Sequence, residues 1–180
     1  GKSISGEFLI YEPHEADLLL VADEGGAALL PLKSMQTTED DRCIDETLGV
    51  SSAIAKNVPV LCYLPAENDH LFLRGTILVS AMLLGIAEAT LARSVDYAKQ
   101  REQFGKVIGS FQAIKHYCAE MAVRCESVRS MLYHTSITFQ AQSPAGVFDA
   151  CSLKALAIEA AQYNANTAIQ IHGGMGFTRE

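Results

Sequence analysis

The chain has 180 residues, a formal net charge of −7, and 49% hydrophobic against 19% charged residues. This is enough apolar material to bury a core in one domain or two small ones, which excludes an intrinsically disordered chain. The acidic balance argues against nucleic acid as a partner, because nucleic acids select basic surfaces. No charge-free apolar run approaches the ~20 residues of a membrane span. Residues 1–25 lack the apolar core of a signal peptide.

The first third of the chain differs in composition from the rest. Residues 1–66 carry a net charge of −7 and residues 67–180 carry none. Turn residues separate short apolar runs in the first segment, which predicts an antiparallel sheet. Residues 39–42 are charged and are expected on a solvated loop. The predicted strands are Phe8–Tyr11, Leu18–Ala22, Ala27–Leu32 and Val58–Leu64.

Residues 67–180 have helical periodicity and form the second predicted domain. The stretch Asp69–Phe104 predicts a first helix that ends at Gly105. It is apolar on nearly all sides up to Leu91, so we expect it to lie between other elements.

Two further helices are predicted after the first. Ser110 is a candidate N-cap for the second helix, and residues 143–146 (Ser-Pro-Ala-Gly) predict a break before a third helix over Phe148–His172. The second helix has a seven-residue repeat typical of a bundle seam. We therefore predict an α+β fold, in which a small antiparallel β segment precedes the long antiparallel helices of an incomplete four-helix bundle. The seam is formed by Phe111, Ile114, Cys118, Met121, Cys125, Val128, Leu132, Thr135 and Phe139.

Two local patterns are candidate ligand sites. Residues 173–176 (Gly-Gly-Met-Gly) follow a helix and not a strand, so they favour a helix C-cap over a dinucleotide fingerprint, although glycines also allow a ligand to approach the backbone. Arg101 lies at a helix end, where it is either a phosphate ligand or a surface charge that interacts with the helix dipole. The five cysteines include no CxxC pair and are expected to be reduced thiols. The five histidines show no metal-binding spacing, so no metal site is predicted.

Longer motifs resemble a known family. Residues 97–105 (YAKQREQFG) and 108–116 (IGSFQAIKH) are similar to a signature of the acyl-CoA dehydrogenases, and residues 169–178 (IQIHGGMGFT) are similar to a second one. The resemblance implies that residues 1–66 form the end of the family's middle β-domain. Residues 67–180 would then form most of its C-terminal helical bundle, so the chain is expected to be a fragment of a longer protein.

The resemblance also implies a cofactor site. Members of the family bind FAD between the β-domain and the bundle, and the bundle of a neighbouring subunit contributes to the site. By resemblance, Arg101 binds the FAD diphosphate of that neighbour, and Phe104 and Gln112 line the same site. Residues 170–174, among them Gln170, Gly173 and Gly174, are expected to pass beside the adenosine end of the cofactor.

The implied reaction is FAD-dependent α,β-dehydrogenation of an acyl-CoA thioester to a trans-2-enoyl-CoA. The implied partners are an electron-transfer flavoprotein and further copies of the chain in a homodimer or tetramer. The implied location is the bacterial cytoplasm or the mitochondrial matrix. The isolated 180-residue chain is expected to be inactive. Two alternatives stay open: a non-catalytic subunit that donates its flavin-site residues to a partner, and an acyl-CoA oxidase.

The position of the catalytic base departs from the family pattern. A minority of members carry a glutamate early in the first bundle helix, and the corresponding residue here is Gly75. Most members carry the glutamate beyond the glycine-rich motif. We therefore expect the usual base position to lie beyond Glu180, and no catalytic residue is assigned within the chain.

Overall fold

The computed structural model describes residues 2–11, 16–23, 26–39, 49–65 and 71–178. The chain divides into two compact units, Gly1–Phe72 and Leu73–Glu180. All strand pairs in the described residues are antiparallel, and three long helices follow the first six strands. The α+β fold expected from the sequence is confirmed.

The first unit contains two three-stranded sheets. One has the strand order β1-β5-β4 and the other β2-β3-β6. Leu30, Ala55 and Val58 form a buried cluster within this unit, with Phe8, Val21 and Met35 packed against it. The strands are β1 (Ser3–Tyr11), β2 (Leu18–Asp23), β3 (Gly26–Pro31), β4 (Gln36–Glu39), β5 (Val50–Pro59) and β6 (Cys62–Pro65).

Several details of the predicted sheet are wrong, and residues 50–57 of β5 are absent from the predicted strands. The expected strand Val58–Leu64 is divided between β5 and β6, because the Val60 N–H bonds to the Lys2 carbonyl and the Leu61 N–H bonds to the Leu29 carbonyl. These two residues thereby carry the chain from one sheet to the other. Strand β4 was not predicted, because its sequence, Gln-Thr-Thr-Glu, has no apolar residue. Glu39, expected on a loop, is the last residue of β4, and residues 40–42 lie outside the described residues.

The second unit contains α1 (Leu71–Gln100), α2 (Gln112–Gln140) and α3 (Gly146–His172). Contacts run from Tyr163 to Glu120 and from Asp149 to Thr135, so α3 lies antiparallel to α2. The bundle core consists of Leu84, Ala87, Cys125, Val128, Leu153, Ala157 and Ala160. The predicted seam is confirmed as the buried face of one continuous helix: Met121, Cys125, Val128 and Thr135 are the buried residues of α2.

Asn164 links the three helices at the centre of the bundle. Its side chain is fully buried. The Nδ2 amide donates to the Ala87 carbonyl of α1 at 3.0 Å and to the Met121 carbonyl of α2 at 3.3 Å. A buried amide needs such partners to offset its desolvation. The Nδ2 donors have them, whereas the buried Oδ1 has no hydrogen-bond partner among the described residues.

The predicted start and end of two helices require correction. Helix α1 ends at Gln100 and not at Phe104, because residues 102–107 form a β-hairpin of β7 (Glu102–Gln103) and β8 (Lys106–Val107). Its two turn residues, Phe104 and Gly105, have φ of 56° and 77°, which is the backbone of a tight hairpin turn and not of a helix end. Ser110 does not cap α2. Its hydroxyl donates to the Val107 carbonyl at 2.7 Å, and Phe111 occupies the N-cap position.

Helix α1 is covered on one side only. Ser80, Leu84, Ala87, Ser94 and Ala98 are buried, whereas Leu78, Met82 and Ile86 are exposed. The expectation that it lies between other elements is therefore not met within this chain. An 18-residue window of α1 has a mean hydropathy of 1.7, so this helix is long and apolar enough to cross a membrane by length and composition alone. A core helix of a bundle passes the same test.

Candidate functional site

An open cleft of about 450 Å³ lies within the helical unit, where α1 and α3 both end. The end of α1 and the residues after it contribute Tyr97, Arg101, Gln103 and Ile108. The end of α3 and the turn after it contribute Ile171, His172, Gly173, Gly174, Met175 and Thr178. The cleft therefore unites residues of the first and last motifs singled out in the sequence.

The hairpin after α1 positions Arg101. The Arg101 N–H donates to the Tyr97 carbonyl at 2.9 Å, and the Arg101 carbonyl accepts the Ile108 N–H at 2.8 Å. These bonds fix the backbone on both sides of the residue, while its side chain stays exposed. Within the described residues the Arg101 guanidinium has no ion pair or hydrogen bond. By contrast, Arg124 pairs with Glu159, and Arg129 pairs with Glu88 and Glu126.

The glycine-rich turn ends α3 and opens its backbone to the cleft. Gly173 has φ of 60°, and its N–H caps the helix by donating to the Ile169 carbonyl. The helix C-cap predicted from the sequence is thus confirmed, because a left-handed φ at this position favours glycine. A Cβ at Gly173 or Gly174 would meet no atom within 4 Å. Side chains are absent there, so a ligand can approach the peptide groups.

Tyr97 and His172 join the two sides of the cleft. Their rings stack with centroids 4.3 Å apart and an interplanar angle of 25°. The Tyr97 hydroxyl donates to the His172 carbonyl at 3.5 Å, and His172 Nδ1 lies 2.7 Å from the Ala168 carbonyl oxygen. From the sequence, His172 is expected beside the cofactor, as part of residues 170–174, and Tyr97 has no assigned site role. Their signal was present, since each lies within a quoted motif, but their contact spans 75 positions.

Three other predicted site residues do not line the cleft. Phe104 is 91% exposed at the hairpin tip and makes an edge contact with Phe111. Gln112 is exposed at the first position of α2, and Gln170 is exposed in the last turn of α3. Arg101, Gly173 and Gly174 are therefore the predicted residues that the fold brings together.

The donor set of the cleft suits a diphosphate. None of its described lining residues is acidic. The Arg101 guanidinium can bind phosphate oxygens through two parallel hydrogen bonds, and the Gln103 amide and Thr178 hydroxyl are further donors. The residues present thus fit the diphosphate of FAD. The cleft residues suit a phosphate better than a metal ion. The described residues contain no cluster of three or more His, Cys, Asp or Glu side chains that could hold a metal.

The two described cysteines of α2, Cys118 and Cys125, are poor candidates for a reactive site. Cys62, Cys118, Cys125 and Cys151 are free thiols, and Cys43 lies outside the described residues. Burial raises the pKa of Cys118 and Cys125 above the ordinary value of 9.0. A raised pKa keeps a thiol protonated, which makes it a poor nucleophile.

Residue Gly75 lies in the second turn of α1, and a Cβ there would meet no atom within 4 Å. The minority position for a catalytic base is therefore without a side chain, as the sequence indicated, and it has space for one. Glu180 lies outside the described residues.

Comparison with known proteins gives one consistent result. Residues 70–180 match the family described as "Acyl-CoA dehydrogenase, C-terminal domain". The short-chain-specific acyl-CoA dehydrogenase of Megasphaera elsdenii is 42% identical over 106 residues, which cover 59% of this chain and 27% of that protein. Acyl-CoA dehydrogenase IpdE2 of Mycolicibacterium smegmatis is 32% identical over 165 residues, which cover 92% of this chain and 49% of that protein.

A solved structure extends the likeness to the β unit. Butyryl-CoA dehydrogenase from Megasphaera elsdenii superposes with a TM-score of 0.77 at 30% identity, over 98% of this chain and 51% of that one. The chain thus spans from about a quarter to about half the length of these three relatives.

Proposed function

The chain belongs to the acyl-CoA dehydrogenase family, and we propose that the protein catalyses α,β-dehydrogenation of an acyl-CoA thioester to a trans-2-enoyl-CoA. The observation that carries this proposal is the cleft in which Arg101 faces Gly173 and Gly174 without an acidic neighbour among its described lining residues. When bound, FAD supplies the oxidising equivalent of this reaction. The role of this chain is to hold and orient the cofactor.

Two kinds of cleft residue hold the cofactor: a charged side chain, and glycines that leave the backbone accessible. Arg101 neutralises the diphosphate with a guanidinium that has no competing partner in the described residues. Gly173 and Gly174 leave the backbone open beside it. We also propose that Phe104, Gln112 and Gln170 contact the cofactor from outside the cleft, because all three are exposed. Exposure of the whole set supports a flavin site completed by a second subunit, in a homodimer or tetramer.

A base must remove the proton from the α-carbon of the acyl group. Gly75 cannot do so, because it has no side chain. A carboxylate suits this task, because burial raises its pKa toward the working range. We propose that the base lies beyond Glu180, at the position usual in the family. We propose that the electrons then pass to an electron-transfer flavoprotein.

The proposed location is the bacterial cytoplasm, because the relatives named above come from bacteria.

A second candidate function stays open, because no base is assigned among the described residues: Gly75 has no side chain, and the base position usual in the family is expected beyond Glu180. In this alternative the protein is an accessory subunit that lends Arg101 and the glycine-rich turn to the flavin of a catalytic partner. The two functions differ in one observable. A catalytic protein reduces its flavin with substrate when no other subunit is present, and an accessory subunit does not. Reoxidation by oxygen in place of an electron-transfer flavoprotein would instead identify an acyl-CoA oxidase.

The test is single-turnover bleaching, by a saturated acyl-CoA, of the flavin bound to the full-length protein of which this chain is expected to be a part. We expect Glu180→Gln to bleach within a few-fold of the wild-type rate, because Glu180 is not the base. Removal of a true base would lower the rate by about 10²–10⁴-fold. A collapse of the rate in Glu180→Gln at unchanged FAD content would assign the base to Glu180. Failure of the wild-type protein to bleach, with FAD bound, would favour the accessory subunit.

A further inference from the structure

The three long helices meet at the amide of Asn164. This residue lies on α3, and its Nδ2 group donates to the Ala87 carbonyl of α1 and to the Met121 carbonyl of α2. The Cys125 Sγ atom of α2 is a third acceptor, 3.3 Å from Nδ2. Carbonyl oxygens only accept hydrogen bonds, so the orientation of the amide is fixed, because exchange of Nδ2 and Oδ1 would place oxygen against oxygen.

The Asn164 amide is unfavourable for stability in one respect. Its side chain is fully buried, and the Oδ1 atom has no hydrogen-bond partner among the described residues. A buried polar atom without a partner has lost its hydration and gained no bond in exchange. An apolar side chain of similar volume would avoid this cost. It would leave neither carbonyl unpaired, since Ala87 and Met121 also accept the helical hydrogen bond from the residue four positions later. Stability alone therefore does not explain the amide.

The surface that α1 presents to the other helices consists mostly of small side chains. Four of its five buried residues are serine or alanine: Ser80, Ala87, Ser94 and Ala98, beside Leu84. Both serine hydroxyls donate to carbonyls of α1 itself, so they do not hold a neighbouring helix. Helices interlock through side chains that project into the grooves of a neighbour, and small side chains project little. Packing alone therefore distinguishes weakly between one placement of α1 and the next.

Two other polar contacts join α1 to its neighbours, and both are partly exposed. Glu88 of α1 pairs with Arg129 of α2, and the Tyr97 hydroxyl of α1 donates to the His172 carbonyl at 3.5 Å. Exposed ion pairs contribute little because water screens them, and a hydrogen bond of 3.5 Å is long. The bond from Asn164 to the Ala87 carbonyl is buried and measures 3.0 Å, so it constrains α1 more strongly than either.

We propose that Asn164 is a positioning residue that holds α1 in one orientation against α2 and α3, at a cost to stability. A single buried asparagine has this effect in coiled coils, where it selects one helix register and lowers stability. Arg101 follows directly after the end of α1, so the orientation of this helix also determines where the guanidinium lies. The inference about α1 does not depend on the proposed function of the cleft, whereas its consequence for Arg101 rests on that function.

Two substitutions at Asn164 and one control test this inference in the full-length protein. Asn164→Leu removes both polar atoms at similar volume, and Asn164→Ala removes them together with volume. The control is Ser94→Ala, because Ser94 is also fully buried but its hydroxyl bonds within α1. Urea denaturation measures stability, hydrogen exchange measures the protection of the α1 amides, and calorimetry measures the affinity for FAD.

We expect Asn164→Leu to unfold at the wild-type urea concentration or a higher one, and yet to exchange the α1 amides about 3- to 10-fold faster, the effect of one neutral hydrogen bond. Asn164→Ala should show the same faster exchange in α1, with lower stability because of the cavity. Ser94→Ala should keep the wild-type exchange of α1. A residue that only supports the fold would instead lower stability and protection together. A lower urea midpoint in Asn164→Leu, unchanged exchange of its α1 amides, or an equal loss of protection in Ser94→Ala would overturn the inference.

The affinity for FAD distinguishes failure of this inference from failure of the proposed function. A displaced α1 displaces Arg101, so we expect Asn164→Leu to bind FAD about 3- to 10-fold more weakly, a part of the loss expected for Arg101→Ala. In the Arg101→Ala background, Asn164→Leu should have no further effect, because the guanidinium is absent. Faster exchange of α1 at unchanged FAD affinity would overturn the consequence for Arg101.

Two outcomes separate the proposals. If Asn164→Leu loosens α1 and Arg101→Ala binds FAD as wild type does, the positioning of α1 stands and the proposed function of the cleft is overturned. If Arg101→Ala weakens FAD binding and Asn164→Leu neither loosens α1 nor weakens FAD binding, the proposed function stands and the role of Asn164 is overturned.

Discussion

The two ends of the helical unit differ in whether their polar side chains have hydrogen-bond partners within the chain. At the end where α2 meets α3, the Asp149 carboxylate is buried and accepts a hydrogen bond from the Thr138 hydroxyl at 2.9 Å. His134 Nε2 lies 3.5 Å from the same carboxylate. At the other end, the Arg101 side chain is exposed, and its guanidinium has no polar partner among the described residues.

This difference separates structural polar groups from binding groups. A buried carboxylate is tolerated only when hydrogen bonds offset its desolvation, and Asp149 meets that condition within the chain. The Arg101 guanidinium has no counter-charge among the described residues, so its contribution to the fold is limited to its interaction with the dipole of α1. The Asp149 end therefore serves the fold, and we propose that the cleft end serves a ligand.

Asp149→Ala tests the claim that the buried Asp149 carboxylate stabilises the fold, and it has the largest expected effect on stability. The substitution removes the hydrogen bond from the Thr138 hydroxyl, which keeps only the Thr135 carbonyl at 3.1 Å as an acceptor. It also removes the acidic group of the first turn of α3. We therefore expect the free energy of unfolding to fall by about 1–3 kcal/mol. FAD content should not change, because Asp149 is far along α3 from the cleft. Urea denaturation measures the first quantity and flavin absorbance the second. The control is Asp96→Ala, which removes an exposed carboxylate of α1. An equal loss of stability in both variants would contradict the assignment.

Phe104→Asn tests whether the strained backbone of Phe104 is kept because its side chain contacts the cofactor. Phe104 has φ of 56° in the hairpin turn, a conformation that costs a non-glycine residue roughly 1–2 kcal/mol and that asparagine tolerates better. We expect the free energy of unfolding of the variant, measured by urea denaturation, to rise by up to about 1 kcal/mol. We also expect the variant to retain less FAD. Such a trade of binding for stability is expected where a strained residue serves a site. Lower stability together with unchanged FAD content would make Phe104 a purely structural residue.

The sequence predicted the helices better than the strands, for a physical reason. Helix α3 was placed within two residues at its start, because glycine and proline mark that boundary and Gly173 caps its end. The end of α1 was placed four residues too late, since residues 101–104 contain no glycine or proline to signal the hairpin. Strand β5 was largely missed because its buried positions are small residues, such as Ser51, Ala53 and Ala55, which give little hydrophobic contrast.

The same reasoning applies to the candidate site. Arg101 and the two glycines are candidates by residue type, because phosphate binding favours such residues, but their assignment to a cofactor site rests on the resemblance to the family. The contact between Tyr97 and His172 joins two helix ends far apart in sequence, so the sequence does not predict it.

The central claim is that the cleft around Arg101 holds the diphosphate of FAD. Its most direct test is the FAD retained after gel filtration by the full-length protein and by three variants of it: Arg101→Ala, Arg101→Lys and the control Arg93→Ala. Arg93 is an exposed arginine of α1 outside the cleft. A charged hydrogen-bonded contact contributes roughly 1.5–3 kcal/mol, so we expect the alanine variant to bind FAD about 10- to 150-fold more weakly. Arg101→Lys should recover only part of this loss, because the planar fork is absent. Arg93→Ala should match wild type. Equal FAD occupancy in Arg101→Ala and Arg93→Ala would contradict the account.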